Sequence, residues 1–297
     1  MPNMLYQWCR HFMQRTQSVL AAAYLLAAAI AMDALLTPVA AAGKAADIEM
    51  WRLDCGEMII EDISYFSDTN AYEGQSATIA NGCYLVRNGD RYLLWDMGLP
   101  QEVLGNTTAE GGWTSSIKTT IADQLNKIDL SPKDIDFVGV SHFHGDHIGQ
   151  ASDFPQATLL MSRADVAWIK NNPPGNARRR LSPWFDGDAS VADFARDHDV
   201  FSDGAVTILA LPGHTPGHSG LLVRLPKKGP VLLSGDLYHL GREVGRRTVS
   251  RWNASRADTL ASIERFEGLQ KTMKPTVIVQ HEPGDVGKLP TFPKSAK

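Results

Sequence analysis

Apolar and polar positions alternate over residues 48–53 (Ile-Glu-Met-Trp-Arg-Leu), which predicts a strand with one buried face. Residues 80–86 and 92–95 predict two further strands about the turn Asn88-Gly89-Asp90, a hairpin signal. Over about 116–128 the pattern changes: Ile117, Ile121 and Leu125 recur every four residues, which predicts an amphipathic helix. Pro132 then leads into Phe137-Val138-Gly139-Val140, read as a buried strand, and 158–161 as another. Residues 171–200 are rich in Asn, Pro, Gly, Arg and Asp, and predict a long irregular excursion over the surface, a candidate lid. The second half returns to strands at 206–211, 220–225 and 231–233, the last two joined by the turn Lys227-Lys228-Gly229. Ser255-Arg256-Ala257-Asp258 reads as a capping box opening a helix with Leu260, Ile263, Phe266 and Leu269 inward, and 276–279 is the final strand. Two strand-rich halves, each closed by helices and not separated by a Pro/Gly/Ser linker, predict sheets covered by helices in one domain.

The N-terminus follows a different logic. Residues 1–17 carry Arg10 and Arg15 and no acid, an Ala/Leu-rich run follows to Met32, and Ala40-Ala41-Ala42 offers a small-residue cleavage site. This is the pattern of a secretory signal peptide over 1–42, and the apolar run is too short to span a bilayer. The expectation is a domain over 43–297, periplasmic or secreted, with no stable membrane insertion after processing. The chain of 297 residues is 43% hydrophobic with a formal charge of −4, which fits a globular protein and excludes a disordered chain or a general nucleic-acid binder. Cys55 and Cys83 both lie in strand-like segments, compatible with a disulfide in an oxidising compartment and equally with two buried thiols.

The candidate chemistry is concentrated in Ser141-His142-Phe143-His144-Gly145-Asp146-His147, directly after the predicted 137–140 strand. Three imidazoles and a carboxylate in the spacing H-x-H-x-D-H suit two neighbouring metals: a strand end projects His142 and His144 together, and the turn at Gly145 redirects Asp146 and His147. Further donors stand at other strand ends: His214 after Ala210-Leu211-Pro212-Gly213, Asp236 after Leu232-Leu233-Ser234-Gly235, and His281 after Val277-Ile278-Val279-Gln280. His218 reads as a structural hydrogen-bonding residue, since these donors already fill two metal shells.

The series H-x-H-x-D-H, then His, Asp and His, resembles the metallo-β-lactamase superfamily. Asn81-Gly82-Cys83-Tyr84-Leu85-Val86, Leu94-Trp95-Asp96-Met97-Gly98-Leu99-Pro100, Leu211-Pro212-Gly213-His214-Thr215-Pro216-Gly217-His218-Ser219 and the run ending Gln280-His281 resemble, more closely, the N-acyl homoserine lactonases. The resemblance implies an α+β fold, an αββα sandwich of two mixed sheets flanked by helices. It implies two Zn2+ ions, one held by His142, His144 and His214, the other by Asp146, His147 and His281, with Asp236 bridging. It also implies attack of a metal-bridging hydroxide on the lactone carbonyl, with Asp146 passing a proton and Asp96 supporting a ligand from behind. The lactonases often carry Tyr three positions after the bridging Asp; here Tyr238 stands second and His239 third, and either is able to donate to a developing oxyanion. The implied substrate is a small molecule, an acyl homoserine lactone whose tail would lie against the aromatic-bearing segment 163–190.

The competing readings are other ester, thioester or phosphoester hydrolases of the same fold and a non-catalytic metal-binding scaffold. True β-lactamases of this fold usually have Cys or Ser where Asp236 stands, and flavodiiron-type members replace the His144 position with Glu. Glyoxalase II-like thioesterases add a helical C-terminal extension, whereas the segment after His281 is short and carries Pro283, Pro290 and Pro293. A phosphodiester substrate would use arginines such as Arg242, Arg246, Arg247 and Arg251, which otherwise read as a solvated stretch, as do Arg178 to Arg180.

Overall fold

The computed structural model describes residues 47–172 and 175–297; the predicted signal peptide lies outside them. Thirteen strands are present among these residues: β1 (Ile48–Ile60), β2 (Ala77–Asn88), β3 (Arg91–Trp95), β4 (Thr108–Glu110), β5 (Trp113–Ser116), β6 (Phe137–Gly139), β7 (Thr158–Ser162), β8 (Val191–Phe194), β9 (His198–Asp199), β10 (Val206–Ala210), β11 (Ser219–Leu225), β12 (Gly229–Leu233) and β13 (Thr276–Ile278). The α-helices are α1 (Ile121–Asn126), α2 (Arg163–Asn171), α3 (Ala177–Arg180), α4 (Ser182–Phe185) and α5 (Arg256–Met273). One sheet has the order β4-β5-β1-β2-β3-β6-β7-β8 and the other β13-β12-β11-β10-β9. Both are mixed: β3, β6, β7 and β8 run parallel, β12 pairs β13 in parallel, and the other pairs are antiparallel.

Alternation along the strands builds the layers. Leu93, Trp95, Val86 and Met50 face Val206, Ile208, Leu221, Val223 and Leu233 across the space between the sheets. Their neighbours Leu94, Leu85 and Leu53 turn the other way, onto Ile121 and Leu125 of α1 and Val166 and Ile169 of α2. On the second sheet, Leu209, Leu222 and Leu232 turn onto Ile263 and Phe266 of α5. The result is the αββα sandwich that the resemblance implied. Burial of these large apolar side chains, about 1.5–3 kcal/mol each, is the main stabilising term.

Two local expectations are corrected and one open alternative is resolved. The four-residue spacing over 116–128 is not one helix: residues 113–116 pair with β1 at Glu57–Ile60, and α1 begins only at Ile121, where Thr120 and Asp123 form a reciprocal capping box. The excursion over 171–200 contains α3, α4, β8 and β9, and it is no lid. Leu181 and Trp184 are buried in the core under the first sheet, and the Trp184 indole donates to the Ala157 carbonyl at 2.8 Å. Cys55 and Cys83 are joined in a buried disulfide linking β1 to β2. That bridge lies against Gly98, whose backbone is left-handed (φ +55°) and where a Cβ would sit 2.3 Å from the Cys55 Cβ. The hairpin turn, the strands of the second half and the Ser255 cap of α5 stand where the pattern put them; the Ser255 hydroxyl accepts from the Asp258 N–H. Among the described residues no helix is long and apolar enough to cross a membrane.

Candidate metal centre

Both sheets deliver their donors to one edge of the sandwich. The loop after β6 carries His142, His144, Asp146 and His147; the segments after β10, β12 and β13 carry His214, Asp236 and His281. Their ligating atoms fall into two groups, His142, His144, His214 and Asp236 in one and Asp146, His147 and His281 in the other, each within 4.8 Å internally. Asp236 belongs to both by geometry. Its Oδ1 lies 3.1 Å from His147 Nε2 and 3.0 Å from His281 Nε2, and its Oδ2 lies 3.6 Å from His142 Nε2 and 3.4 Å from His214 Nε2. Asp146 Oδ2 stands 3.6 and 3.5 Å from the same two Nε2 atoms, His147 and His281.

What lies behind the imidazoles sets their direction. Nδ1 of His147 meets Asp96 Oδ2 at 2.9 Å, Nδ1 of His142 meets Ser141 Oγ at 3.0 Å, Nδ1 of His214 meets Asn253 Oδ1 at 2.8 Å, and Nδ1 of His281 meets the Ala80 carbonyl at 2.9 Å. With those nitrogens engaged, the four Nε2 atoms face inward, as outer hydrogen bonds do for metal-bound histidines. Asp96 supports more than one side chain: it also accepts from the Ser141 N–H at 2.7 Å and the Gln280 amide at 2.6 Å. Asn81 donates to Asp146 at 3.2 Å. His218 has both nitrogens committed, Nδ1 donating to the Leu211 carbonyl and Nε2 accepting from the Asp236 N–H, so it holds the shared carboxylate by its backbone.

The donor set fits a pair of divalent metal ions on its own geometry. His142 Nε2 and Asp236 Oδ1 are buried with no hydrogen-bond partner among the described residues. His147 Nε2 and His281 Nε2 approach to 3.2 Å, and His144 Nδ1 and His214 Nε2 to 3.0 Å, so lone pairs converge where cations would sit. Burial pushes the His142, His144 and His214 pKa values down, which leaves neutral, ligating imidazoles. Burial also opposes charge on His147 and His281, but Asp236, with Asp146, outweighs it and raises both. The same contacts hold the buried Asp236 carboxyl far below its usual range. A largely buried cluster of imidazoles and carboxylates this dense suits divalent ions.

The two residues after the 3-10 turn Gly235–Leu237 part company. His239 turns to the centre, with Nε2 3.6 Å from Asp236 Oδ2, and its ring stacks on Phe66 at 4.3 Å between centroids. Tyr238 is not brought there: it is buried edge-on to Phe266 beneath α5, its hydroxyl 3.5 Å from Glu267. Geometry therefore removes Tyr238 from the catalytic set. The aromatic wall beside His239 is also not drawn from 163–190. It consists of Phe66, Trp113 and Trp252, with Tyr65 stacked on Trp252 at 5.3 Å; Tyr65 and Trp252 are exposed. Sequence reasoning missed Ser141, Gln280, Asn253 and Phe66. Ser141 and Gln280 flank ligands and were findable by adjacency; Asn253 sits in an irregular loop and Phe66 in a single 3-10 turn, neither with a periodic signal.

The profile of the metallo-beta-lactamase superfamily matches residues 81–270. The N-acyl homoserine lactonase AttM of Azorhizobium caulinodans is 31% identical over 170 residues, spanning 54% of this chain and 63% of that protein, a little under two thirds of its length. The AttM of Rhizobium johnstonii is 26% identical, spanning 67% of this chain and 81% of that protein. Among solved structures, an N-acyl homoserine lactone hydrolase with its product N-hexanoyl-L-homoserine bound at the catalytic metal center superposes with a TM-score of 0.72 at 21% identity, over 83% of this chain and 98% of that one. AidC, a dizinc quorum-quenching lactonase, superposes at 0.61 with 18% identity, over 85% and 90%. At such identities the likeness is one of fold.

Proposed function

This chain belongs to the metallo-beta-lactamase superfamily, and from that membership we propose that it is a metal-dependent hydrolase opening the ring ester of N-acyl homoserine lactones. The observation that carries the hydrolase reading is Asp236, whose two oxygens face two separate histidine groups and so suit one carboxylate shared by two metals. The lactone is supported by the relatives, which are named N-acyl homoserine lactonases, and by the aromatic wall beside His239. Two divalent ions, zinc or another transition metal suited to nitrogen and oxygen donors of this kind, would supply a water acidified toward neutral pH and a Lewis acid for the carbonyl oxygen.

The residues do the rest. His142, His144 and His214 would hold one ion and Asp146, His147 and His281 the other, with Asp236 facing both groups. Asp146 keeps 19% of its side chain exposed, more than Asp236 at 5%, and is the carboxylate placed to pass a proton to the leaving alkoxide. His239 orients the lactone by hydrogen bonding to its carbonyl or amide, and Phe66, Trp113 and Trp252 cover the acyl chain and exclude water. We also propose an extracytoplasmic location, from the signal-peptide pattern of residues 1–42; the buried Cys55–Cys83 disulfide supports it, since disulfides persist in oxidising compartments.

The test is a pH-stat assay of the zinc-loaded protein on short- and long-chain acyl homoserine lactones, run beside a thioester, a phosphodiester and a β-lactam. One proton released per lactone opened at neutral pH is the expected result. Rapid cleavage of the thioester or phosphodiester with no ring opening overturns the lactonase reading and leaves a hydrolase of another ester class.

A further inference from the structure

Glu243, four residues after His239, is a buried carboxylate that the metal groups do not use. It is 3% exposed, and among the described residues the one basic side chain within ion-pair distance of it is His239 itself. Burying a carboxylate costs several kcal/mol, and an apolar residue of similar size would stabilise the fold as well or better. Something other than packing is needed to explain its place.

Its contacts converge on His239. Glu243 Oε2 accepts the His239 backbone N–H at 2.8 Å, which fixes that residue's Cα after the turn, and the same oxygen faces the ring's Nδ1 at 3.8 Å. Phe66 covers one face of the ring, nearly parallel at 13°. Held at its main chain and on one face, with the carboxylate beyond its Nδ1 edge, the imidazole presents its remaining nitrogen, Nε2, to the Asp236 side of the metal centre, 3.6 Å from Oδ2. The other carboxylate oxygen, Oε1, is buried and has no hydrogen-bond partner among the described residues, and neither does the buried Tyr72 hydroxyl. Among the described residues the carboxylate's side-chain hydrogen bond goes to His239 alone.

We propose that Glu243 is a positioning residue, which holds His239 with an unprotonated Nε2 placed to accept the substrate's amide N–H. This rests on the lactonase reading for the identity of the amide, though not for the geometry. Glu243 itself touches neither substrate nor metal; it acts by keeping one rotamer and one tautomer of His239, with Nδ1 carrying the proton on the carboxylate side. A side chain fixed in this way contributes orientation that a free histidine on a loop would lose.

The experiment compares Glu243→Gln and Glu243→Ala with the parent protein, all zinc-loaded. Glu243→Gln keeps an acceptor for the His239 N–H and should retain at least a third of kcat. Glu243→Ala should lose about 10–100-fold in kcat, the range seen for outer supporting residues, with KM within twofold and the zinc content unchanged. Side-chain 15N spectra of histidine-labelled protein give a readout independent of activity. In the parent, the His239 nitrogens should appear as one protonated Nδ1 and one unprotonated Nε2, and in Glu243→Ala the two signals should move toward each other. Unaltered kcat and unaltered His239 signals in Glu243→Ala overturn the proposal, as does a rate loss that only mirrors lost zinc. Should the parent open no lactone, the spectra alone decide: a fixed tautomer released by Glu243→Ala keeps the positioning role while the substrate reading falls, and His239 signals already averaged in the parent overturn it.

Discussion

Asp165, the third residue of α2, offers a quantitative test of how this structure holds its ligand loop. The residue is 1% exposed, and its carboxylate accepts from the Thr215 hydroxyl at 2.7 Å and the Gly217 N–H at 2.6 Å, so it clamps the segment between His214 and His218 to the first sheet's helix layer. Burial dominates over those two hydrogen bonds and pushes its pKa up to about 7. The sign follows from linkage. Below about pH 4 folded and unfolded chains both hold the proton, between 4 and 7 only the folded chain does, and above 7 neither does. Stability from this group is therefore fully present at low pH, falls as pH rises through that window, and stays low above it. At about 1.4 kcal/mol per pH unit, the whole effect is roughly 4 kcal/mol. Asp165→Asn keeps the shape, an acceptor for Gly217 and a partner for the Thr215 hydroxyl, but never ionises. Urea unfolding of zinc-loaded parent and variant at pH 5, 6, 7 and 8 should show the variant gaining on the parent by roughly 2.5 kcal/mol across that range. Metal release at low pH affects both proteins and cancels in the difference. A gap that stays constant with pH would show that the two hydrogen bonds keep Asp165 ionised and that burial has been overweighted.

Three other outcomes are expected. Asp236→Asn should reduce the zinc held per chain below two, whereas Asn253→Ala, which removes the partner of His214 Nδ1, should weaken one ion about 10–100-fold in chelator competition; unchanged zinc affinity in Asn253→Ala would refute the orienting role. N-terminal sequencing of the native protein should begin near Gly43, and a membrane-bound product beginning at Met1 would refute export.

What could be read in advance depended on how each residue is held. His142, His144, Asp146 and His147 share one short loop, so their spacing alone carries the chemistry, and His214, Asp236 and His281 announce themselves by following apolar strands. Tyr238 and His239 are consecutive, and nothing in their order tells which one a 3-10 turn aims at the centre and which it sends under α5. Glu243 acts from the short 3-10 turn Gly241–Glu243 and Asn253 from an irregular loop, where no period marks an inward residue. The segment 171–200 misled because its Pro, Gly and Arg content hides Leu181 and Trp184, three apart, which anchor it in the core. The regular spacing of Ile117, Ile121 and Leu125 misled in the opposite direction: Ile117 packs with β1 and the loop after it, on a different cluster from the other two.

The division of ligands between the sheets has a consequence for assembly. The loop after β6 alone offers each donor group only two residues, His142 and His144 to one and Asp146 and His147 to the other; the remainder arrive from the second sheet. Neither half of the sandwich would therefore keep a metal by itself, and an ion would be tightly bound only when both edges come into register. Metal affinity in this protein is a gauge of that register: whatever shears one sheet against the other, a core substitution between Trp95 and Leu233 as much as a lost ligand, will register first as a leak of metal.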